Sequence, residues 1–283
     1  MLTLSETREQ PVSQATSNQQ TAVSLKGRTA LVTGSTGGLG HAMAEGLARA
    51  GCNIVLHGIA EPQAMRPLQA ELERTYGVRA AYMPADLADV GAIAALMAAV
   101  AERFGSIDVL VNNAVTRHFA PVEDFPVEQW DQALAVNVSA AFHTIRLALP
   151  AMRERGWGRI FNMTSVYGKR ATQNRIGYVT TKTALIGMTR AVALETINQG
   201  ITCNALCPGS VLTPDIDSRI QALMRERDLD AEAATRVFLE GKQPILRFVD
   251  AAHVAELVLF LCGPAGRDIT GAVLPVEGGW LAS

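Results

Sequence analysis

Short runs of β-branched and aliphatic residues alternate with longer stretches of helical periodicity along almost the whole chain, and that alternation leaves few folds open. Apolar runs at 29–33, 53–57, 80–84, 109–112, 159–163, 202–206 and 272–276 read as strands. Between them, residues 38–50, 65–76, 90–104, 127–155, 178–199 and 250–261 carry apolar side chains at helical spacing. Connections of this length place successive strands parallel, and strands that are apolar throughout must be covered on both faces. The expected fold is α/β: one doubly wound domain over 26–283, a seven-stranded parallel sheet with helices on both faces.

After Pro208-Gly209 the rhythm breaks, and residues from about 213 to 242 are polar and helical. An insertion between the sixth strand and the last helix lies over the carboxyl edge of the sheet, where open α/β folds bind ligands. A helical lid over about 212–245 is expected. The opening stretch is rich in Gln, Ser and Thr and holds no apolar run like a secretory signal, so residues 1–25 are expected to form a flexible tail.

A net charge of −2 and a pI near 6.2 give no electrostatic footprint for nucleic acid, and no basic run suggests a membrane surface. No uninterrupted apolar run reaches the length needed to span a bilayer. The 48% hydrophobic content fits a large core or further burial in an oligomer. The four cysteines, Cys52, Cys203, Cys207 and Cys262, fall on expected strands and helices without metal-ligand spacing, and read as reduced core thiols with no metal site. The expected setting is cytoplasmic and the expected partner a small molecule.

Two short motifs carry chemistry. Leu31-Val32-Thr33 ends a strand, and Gly34, Gly38 and Gly40 follow before an Ala-rich helix. Glycines there permit a tight turn and a close approach of backbone to phosphate, while the helix start offers oriented N–H groups. The second strand ends in His57-Gly58-Ile59, with neither an acid for ribose hydroxyls nor a base for a 2′-phosphate. Asp86 and Asn113 stand at carboxyl strand ends where cofactor contacts belong, and Asp86 is equally placed to cap a helix. The second motif is Tyr178-x-x-x-Lys182, thirteen residues beyond Ser165. Residues four apart share a helix face, so the ammonium can stabilise the phenolate and make the tyrosine a usable acid or base.

Together these residues resemble the short-chain dehydrogenase/reductase family from Lys26 onward. The chain carries Thr33-Gly34-x-x-x-Gly38-x-Gly40, Asn112-Asn113-Ala114, Asn137, Ser165, Tyr178-x-x-x-Lys182 and Pro208-Gly209 followed by Thr213, in that order. The resemblance implies a Rossmann-like domain, a nicotinamide cofactor and hydride transfer between a secondary alcohol and a ketone. It implies that Tyr178 exchanges the substrate proton and that Lys182 lowers the tyrosine's pKa and holds the nicotinamide ribose. Ser165 is expected to hydrogen-bond the substrate oxygen, Asn137 to hold a water leading to Lys182, and Thr213 to meet the carboxamide. Cofactor contacts are implied at Gly34, Thr36, Gly38, Leu39, Gly40, Asp86, Leu87, Asn113, Ala114, Tyr178, Lys182, Pro208, Gly209, Val211 and Thr213. The family also implies a homotetramer; the apolar stripes of 127–155 and 178–199 suit pairing across a two-fold axis or burial within one chain.

Within the family the chain is most similar to the bacterial 3-hydroxybutyrate dehydrogenases. Val122-Glu123-Asp124-Phe125-Pro126, Lys242-Gln243-Pro244 and Glu277-Gly278-Gly279-Trp280 are among the stretches that carry this likeness. That group uses NAD, which is the cofactor expected here, with NADP left open. Where the group gathers its small carboxylate with Gln, His, Lys and Gln, this chain has Arg117, Tyr167, Arg175 and Arg219; His118 is retained and Val115 replaces a glycine. Arg175 and Arg219 either meet the substrate or point to solvent. An arginine fork suits carboxylates, so the expected substrate is a 3-hydroxy acid such as (R)-3-hydroxybutyrate or a bulkier, more anionic relative. The rivals are an NADPH-dependent 3-oxoacyl thioester reductase and, outside enzymes, a silent nucleotide-binding regulator.

Overall fold

A computed structural model describes residues 23–283. The strands are β1 (Thr29–Val32), β2 (Asn53–Leu56), β3 (Ala80–Tyr82), β4 (Val109–Asn112), β5 (Gly158–Met163), β6 (Ile201–Pro208) and β7 (Val273–Val276). The helices are α1 (Gly38–Arg49), α2 (Pro62–Tyr76), α3 (Val90–Phe104), α4 (Val127–Leu134), α5 (Ala140–Arg155), α6 (Ile176–Glu195), α7 (Pro214–Arg227), α8 (Ala231–Leu239) and α9 (Ala251–Cys262).

All strand pairs are parallel, and the sheet order is β3-β2-β1-β4-β5-β6-β7, the seven-stranded arrangement that the alternation requires. Because side chains alternate across a strand, each strand feeds two cores. Val32, Leu56, Val111 and Phe161 pack with α1, α2 and α9 on one face, while Leu31, Val55, Leu110 and Ile160 pack with α3, α5 and α6 on the other. At the α1–α9 contact a Cβ on Gly46 would lie 3.0 Å from Ala255 Cβ, so a small residue there lets the two helices meet. The chain turns in opposite directions from β1 toward β2 and from β1 toward β4, and ligand crevices of open α/β sheets lie at that switch point.

Four expectations need correction. The long helix expected over 127–155 is interrupted: between α4 and α5 lies a π turn, Ala135–Ser139, which carries Asn137. One extra residue in a turn does not disturb an apolar stripe enough to show in the periodicity. Among the described residues this same run, Val127–Arg155, is long and apolar enough to cross a membrane by length and composition. Its charged residues hide that property from a search for uninterrupted runs; in the fold its Ile145, Leu149 and Met152 pack on the sheet. Next, α2 starts at Pro62 rather than 65, since proline at the first helical position is a start signal. Last, the tail expected over 1–25 reaches the body of the protein before Lys26. Leu25 is buried and its N–H donates to Ala50 O at 2.8 Å, while residues 1–22 lie outside the described residues. The expected lid resolves into α7, capped by Thr213, and α8, capped by Asp230.

At the amino edge of the sheet, buried Asp108 accepts from Thr29 N at 2.9 Å, Arg28 Nη1 at 3.2 Å and Arg155 Nη1 at 3.1 Å. It ties β1, the start of β4 and the end of α5 together. Asp108→Ala strands the Thr29 N–H and both guanidinium contacts, and is expected to cost about 2–3 kcal/mol. Thermal unfolding checks this: the midpoint should fall by roughly 5–10 °C, while KM for the cofactor stays unchanged.

Candidate active site

The cofactor end of the site starts at the turn between β1 and α1. Gly34 has φ +62°, and a Cβ there would sit 2.9 Å from Ala114 Cα. A Cβ on Gly40 would fall 2.3 Å from Gly34 O and 2.6 Å from Asn113 Nδ2, so the turn is closed against its own helix and against the loop after β4. Asn113 Nδ2 donates to Thr33 O at 2.9 Å and Gly34 O at 3.0 Å, and Thr33 Oγ1 accepts from Asn113 N and Ala114 N. Asn113 and Ala114 thus brace the turn from the neighbouring strand.

His57 braces it from the other side. Gly34 N–H can only donate, so His57 Nδ1 accepts at 3.2 Å, and Nε2 carries the proton toward Ala85 O at 3.1 Å. Burial pushes the imidazole's pKa down, partly offset by the Ala85 carbonyl, and keeps the ring neutral. The residue at the end of β2 is therefore spent inside the fold. Past it, Ile59 is exposed.

The residues present fit a dinucleotide. Gly37 and Gly38 line a cleft of about 780 Å³, and a Cβ on either would meet nothing within 4 Å, which leaves open space over the start of α1. That helix has no side-chain cap, so its first N–H groups remain for an anion such as a pyrophosphate.

At the other end of the cleft, β5 leads into Thr164 and Ser165, and Ser165 caps a single 3₁₀ turn, Val166–Gly168. That turn lies directly against α6: a Cβ on Gly168 would meet Thr164 Oγ1 at 2.4 Å and Lys182 O at 2.8 Å. Thr164 Oγ1 also donates to Lys182 O at 2.8 Å. This contact sets Ser165 beside Tyr178. Ser165 Oγ accepts from Tyr167 N at 3.2 Å, and its hydroxyl is within hydrogen-bonding reach of the Tyr178 phenol.

Tyr178 and Lys182 are both buried, with the ammonium 5.7 Å from the phenol ring centre. Lys182 Nζ donates to Met163 O at 2.6 Å at the end of β5. Burial pushes the Tyr178 pKa up, but the charges of Lys182 and Arg117 and hydrogen bonds from Ser165 and Arg117 outweigh it, and the net displacement is downward. Burial brings Lys182 down to about 8, opposed by Tyr178 and assisted by Arg117. Arg117, expected from sequence as a substrate contact, lies with its guanidinium carbon 5.2 Å from the Tyr178 ring centre.

Asn137, held by the π turn, accepts from Thr116 N at 2.8 Å and donates to Thr116 O at 3.0 Å and Thr181 Oγ1 at 3.2 Å. It fixes the loop that carries Arg117 to the helix that carries Tyr178.

The cleft brings together Gly34, Thr36, Gly38, Leu39, Asn113, Ser165, Tyr178, Lys182, Pro208, Gly209, Val211 and Thr213 with Arg117, Tyr167, Arg175 and Arg219. Gly40, Ala114, Asn137, Asp86, Leu87 and His118 do not line it. Asp86 accepts from Ala88 N at 2.9 Å, Leu87 is buried in the core, and His118 turns edge-on to Phe125. Asp89, not Asp86, caps α3. Val115 lines the cleft. Sequence reasoning passed over Phe119, Phe238, Lys242 and Trp280, which also line it. Lys242 and Trp280 lie in stretches that carry the family likeness, whereas nothing marks Phe119 or Phe238 in the sequence.

Comparison with known proteins agrees with this geometry. A family model described as enoyl-(acyl carrier protein) reductase matches residues 34–281. A D-beta-hydroxybutyrate dehydrogenase from Rhizobium meliloti is 44% identical over 256 residues, covering 90% of this chain and 99% of that protein. One from Cupriavidus necator is 41% identical, covering 91% and 99%. Among solved structures, L-sorbose reductase from Gluconobacter frateurii, complexed with NADPH and L-sorbose, superposes with a TM-score of 0.87 at 30% identity, covering 93% of this chain and 99% of that one. With the glycine turn, the buried Tyr178–Lys182 pair and relatives aligned over nearly their full lengths, the chain belongs to the short-chain dehydrogenase/reductase family of oxidoreductases.

Proposed function

We propose that the protein is an NAD-dependent dehydrogenase of 3-hydroxy acids, interconverting a 3-hydroxy acid and its 3-oxo acid. The observation that carries this reading is the buried Tyr178, with the Lys182 ammonium 5.7 Å and the Arg117 guanidinium carbon 5.2 Å from its ring centre, at the end of a cleft lined by basic side chains. In oxidation the Tyr178 phenolate takes the proton of the substrate hydroxyl, and in reduction the phenol returns it. When bound, the nicotinamide ring accepts the hydride in oxidation and supplies it in reduction. Ser165 donates to the substrate oxygen, where negative charge grows as the carbon–hydrogen bond breaks or forms. Lys182 favours the phenolate and would hold the nicotinamide ribose, Asn137 orders the path behind it, and Thr213 would meet the carboxamide, with Val211 beside it in the cleft. An arginine on the wall of the cleft pairs with the substrate carboxylate.

NAD is favoured over NADP by the likeness to the hydroxybutyrate dehydrogenases, a group that uses NAD; His57-Gly58-Ile59 offers neither an acid for the ribose hydroxyls nor a cation for a 2′-phosphate. The 41–44% identity to two hydroxybutyrate dehydrogenases supports the acid substrate over an acyl thioester. A homotetramer is supported by exposed Phe142 on α5 and by Leu194 and Ile197 at the end of α6. A cytoplasmic setting accords with four free, buried thiols.

Three results test this reading. Absorbance assays with (R)-3-hydroxybutyrate should show reduction of NAD in preference to NADP; a preference for NADP, with activity confined to 3-oxoacyl thioesters, overturns it. Tyr178→Phe should lower kcat by about 10²–10⁴-fold while the Kd for NADH, read by fluorescence, changes little. Arg117→Gln removes a cation that favours the phenolate, so the phenol's pKa rises and less phenolate is present at any given pH. Oxidation should fall about tenfold at neutral pH, with the rising limb of its pH profile displaced to the alkaline side.

A further inference from the structure

The basic side chains of the cleft form two groups. Arg117 lies at the reacting end, where its charge acts on Tyr178 and Lys182. Arg175, Arg219 and Lys242 lie farther out: the Lys242 ammonium is held below its ordinary value by burial first, then by Arg219 and Arg175, so these three sense one another. Tyr167 stands between the groups, 6.3 Å from the Tyr178 ring centre and 5.2 Å from the Arg175 guanidinium carbon.

Each outer cation rests on an aromatic face. Arg175 lies 4.5 Å from the Phe119 ring centre, and Arg219 and Lys242 share Phe238 at 5.1 and 4.5 Å. No Asp or Glu lines the cleft among the described residues, and none of the ion pairs formed among them includes Arg117, Arg175, Arg219 or Lys242. An aromatic face holds a guanidinium or ammonium in place without neutralising its charge, and Lys242 Nζ also donates to Phe238 O at 3.2 Å. Cations gathered in this way repel one another until an anion enters. A single carboxylate near Tyr178 satisfies the inner group and leaves the outer trio unneutralised.

Resting on the hydroxy-acid reading above, we propose that the substrate is a 3-hydroxydicarboxylate, whose second carboxylate, remote from the carbinol, is bound by Arg175, Arg219 and Lys242. Arg219 on α7 and Lys242 after α8 both come from the lid, so the second carboxylate also draws the lid over the reacting carbon.

The test compares kcat/KM for 3-hydroxyadipate and 3-hydroxypimelate, each beside the methyl ester of its far carboxylate, with 3-hydroxybutyrate as the monoanion. Length and shape stay nearly constant between acid and ester while one charge is lost. At least one diacid should exceed its ester by about tenfold or more, as expected for charge-assisted hydrogen bonds. The double substitution Arg219→Gln, Lys242→Gln should bring that ratio toward unity, read within one enzyme preparation. Esters used as well as the acids, with 3-hydroxybutyrate turned over, would overturn the second anion and leave the hydroxy-acid reading standing. A ratio unmoved by the double substitution would overturn the assignment to these residues. Turnover of none of the five compounds would remove the reading and this proposal together.

Discussion

The site depends on hydrogen bonds that run across the carboxyl ends of the strands. Thr33 after β1, His57 after β2, Asn113 after β4 and Thr164 after β5 each use a side chain to hold a neighbouring segment. A parallel sheet ends in carbonyls and loops with no ladder partner, and groups buried there need such partners. The Thr33–Asn113 and Gly34–His57 bonds add to the backbone bonds from Thr33 N to Val111 O and from Ser35 N to His57 O, and together they fix the glycine turn against β4 and β2. The Thr164–Lys182 bond, with those from Lys182 Nζ to Met163 O and from Thr183 Oγ1 to Gly168 O, joins the segment that carries Ser165 to the helix that carries Tyr178. Positioning to fractions of an ångström at the reacting atoms is thus a property of the sheet edge, and the two buried cores supply the stiffness behind it.

Electrostatics at this edge are one-sided. Lys182 is buried with a carbonyl and a phenol for company, and burial is the first cause of its lowered pKa, opposed by Tyr178 and assisted by Arg117. The same arrangement favours the Tyr178 phenolate, because ionising the phenol supplies the missing negative charge. Arg117, its guanidinium carbon 5.2 Å from the ring centre, strengthens this bias. A carboxylate placed beside Lys182 would satisfy the ammonium and remove the incentive for the phenol to ionise.

Much of the fold was legible because its signals are periodic and redundant. The β-branched runs and the apolar stripes of α1, α3 and α9 each span several turns or a full strand, and a misplaced end changes little. The π turn at Ala135–Ser139 was not legible, since it depends on where one backbone hydrogen bond fails to form inside a continuous apolar run. Tyr178, Lys182 and Ser165 were found from spacing because the chemistry forces two of them onto one helix face. His57 was read only as the lack of an acid, yet its ring bridges Gly34 and Ala85, a role that depends on tertiary neighbours twenty-three and twenty-eight residues away.

The substrate wall was the least legible part for a related reason. Phe119, Tyr167, Phe238 and Trp280 come from four separated segments, and an aromatic residue in any one of them reads as core. Only the closed fold shows that Arg175 lies between Phe119 and Tyr167. The lid adds a further constraint. Gln243, fully buried, accepts from Ser210 N at 2.7 Å, and a Cβ on Gly209 would lie 2.4 Å from its Oε1. The segment leaving α8 is therefore fastened to the loop entering α7, so both ends of the lid share one anchor. Arg219 and Phe238 lie on the helices between these ends, and Gly209 and Gln243 lie at the anchor. Arg219 and Phe238 of the cleft wall thus come from the inserted helices and Tyr178 and Lys182 from the central helix α6, an arrangement that lets contacts on the inserted helices diverge among relatives without disturbing the Tyr178–Lys182 pair.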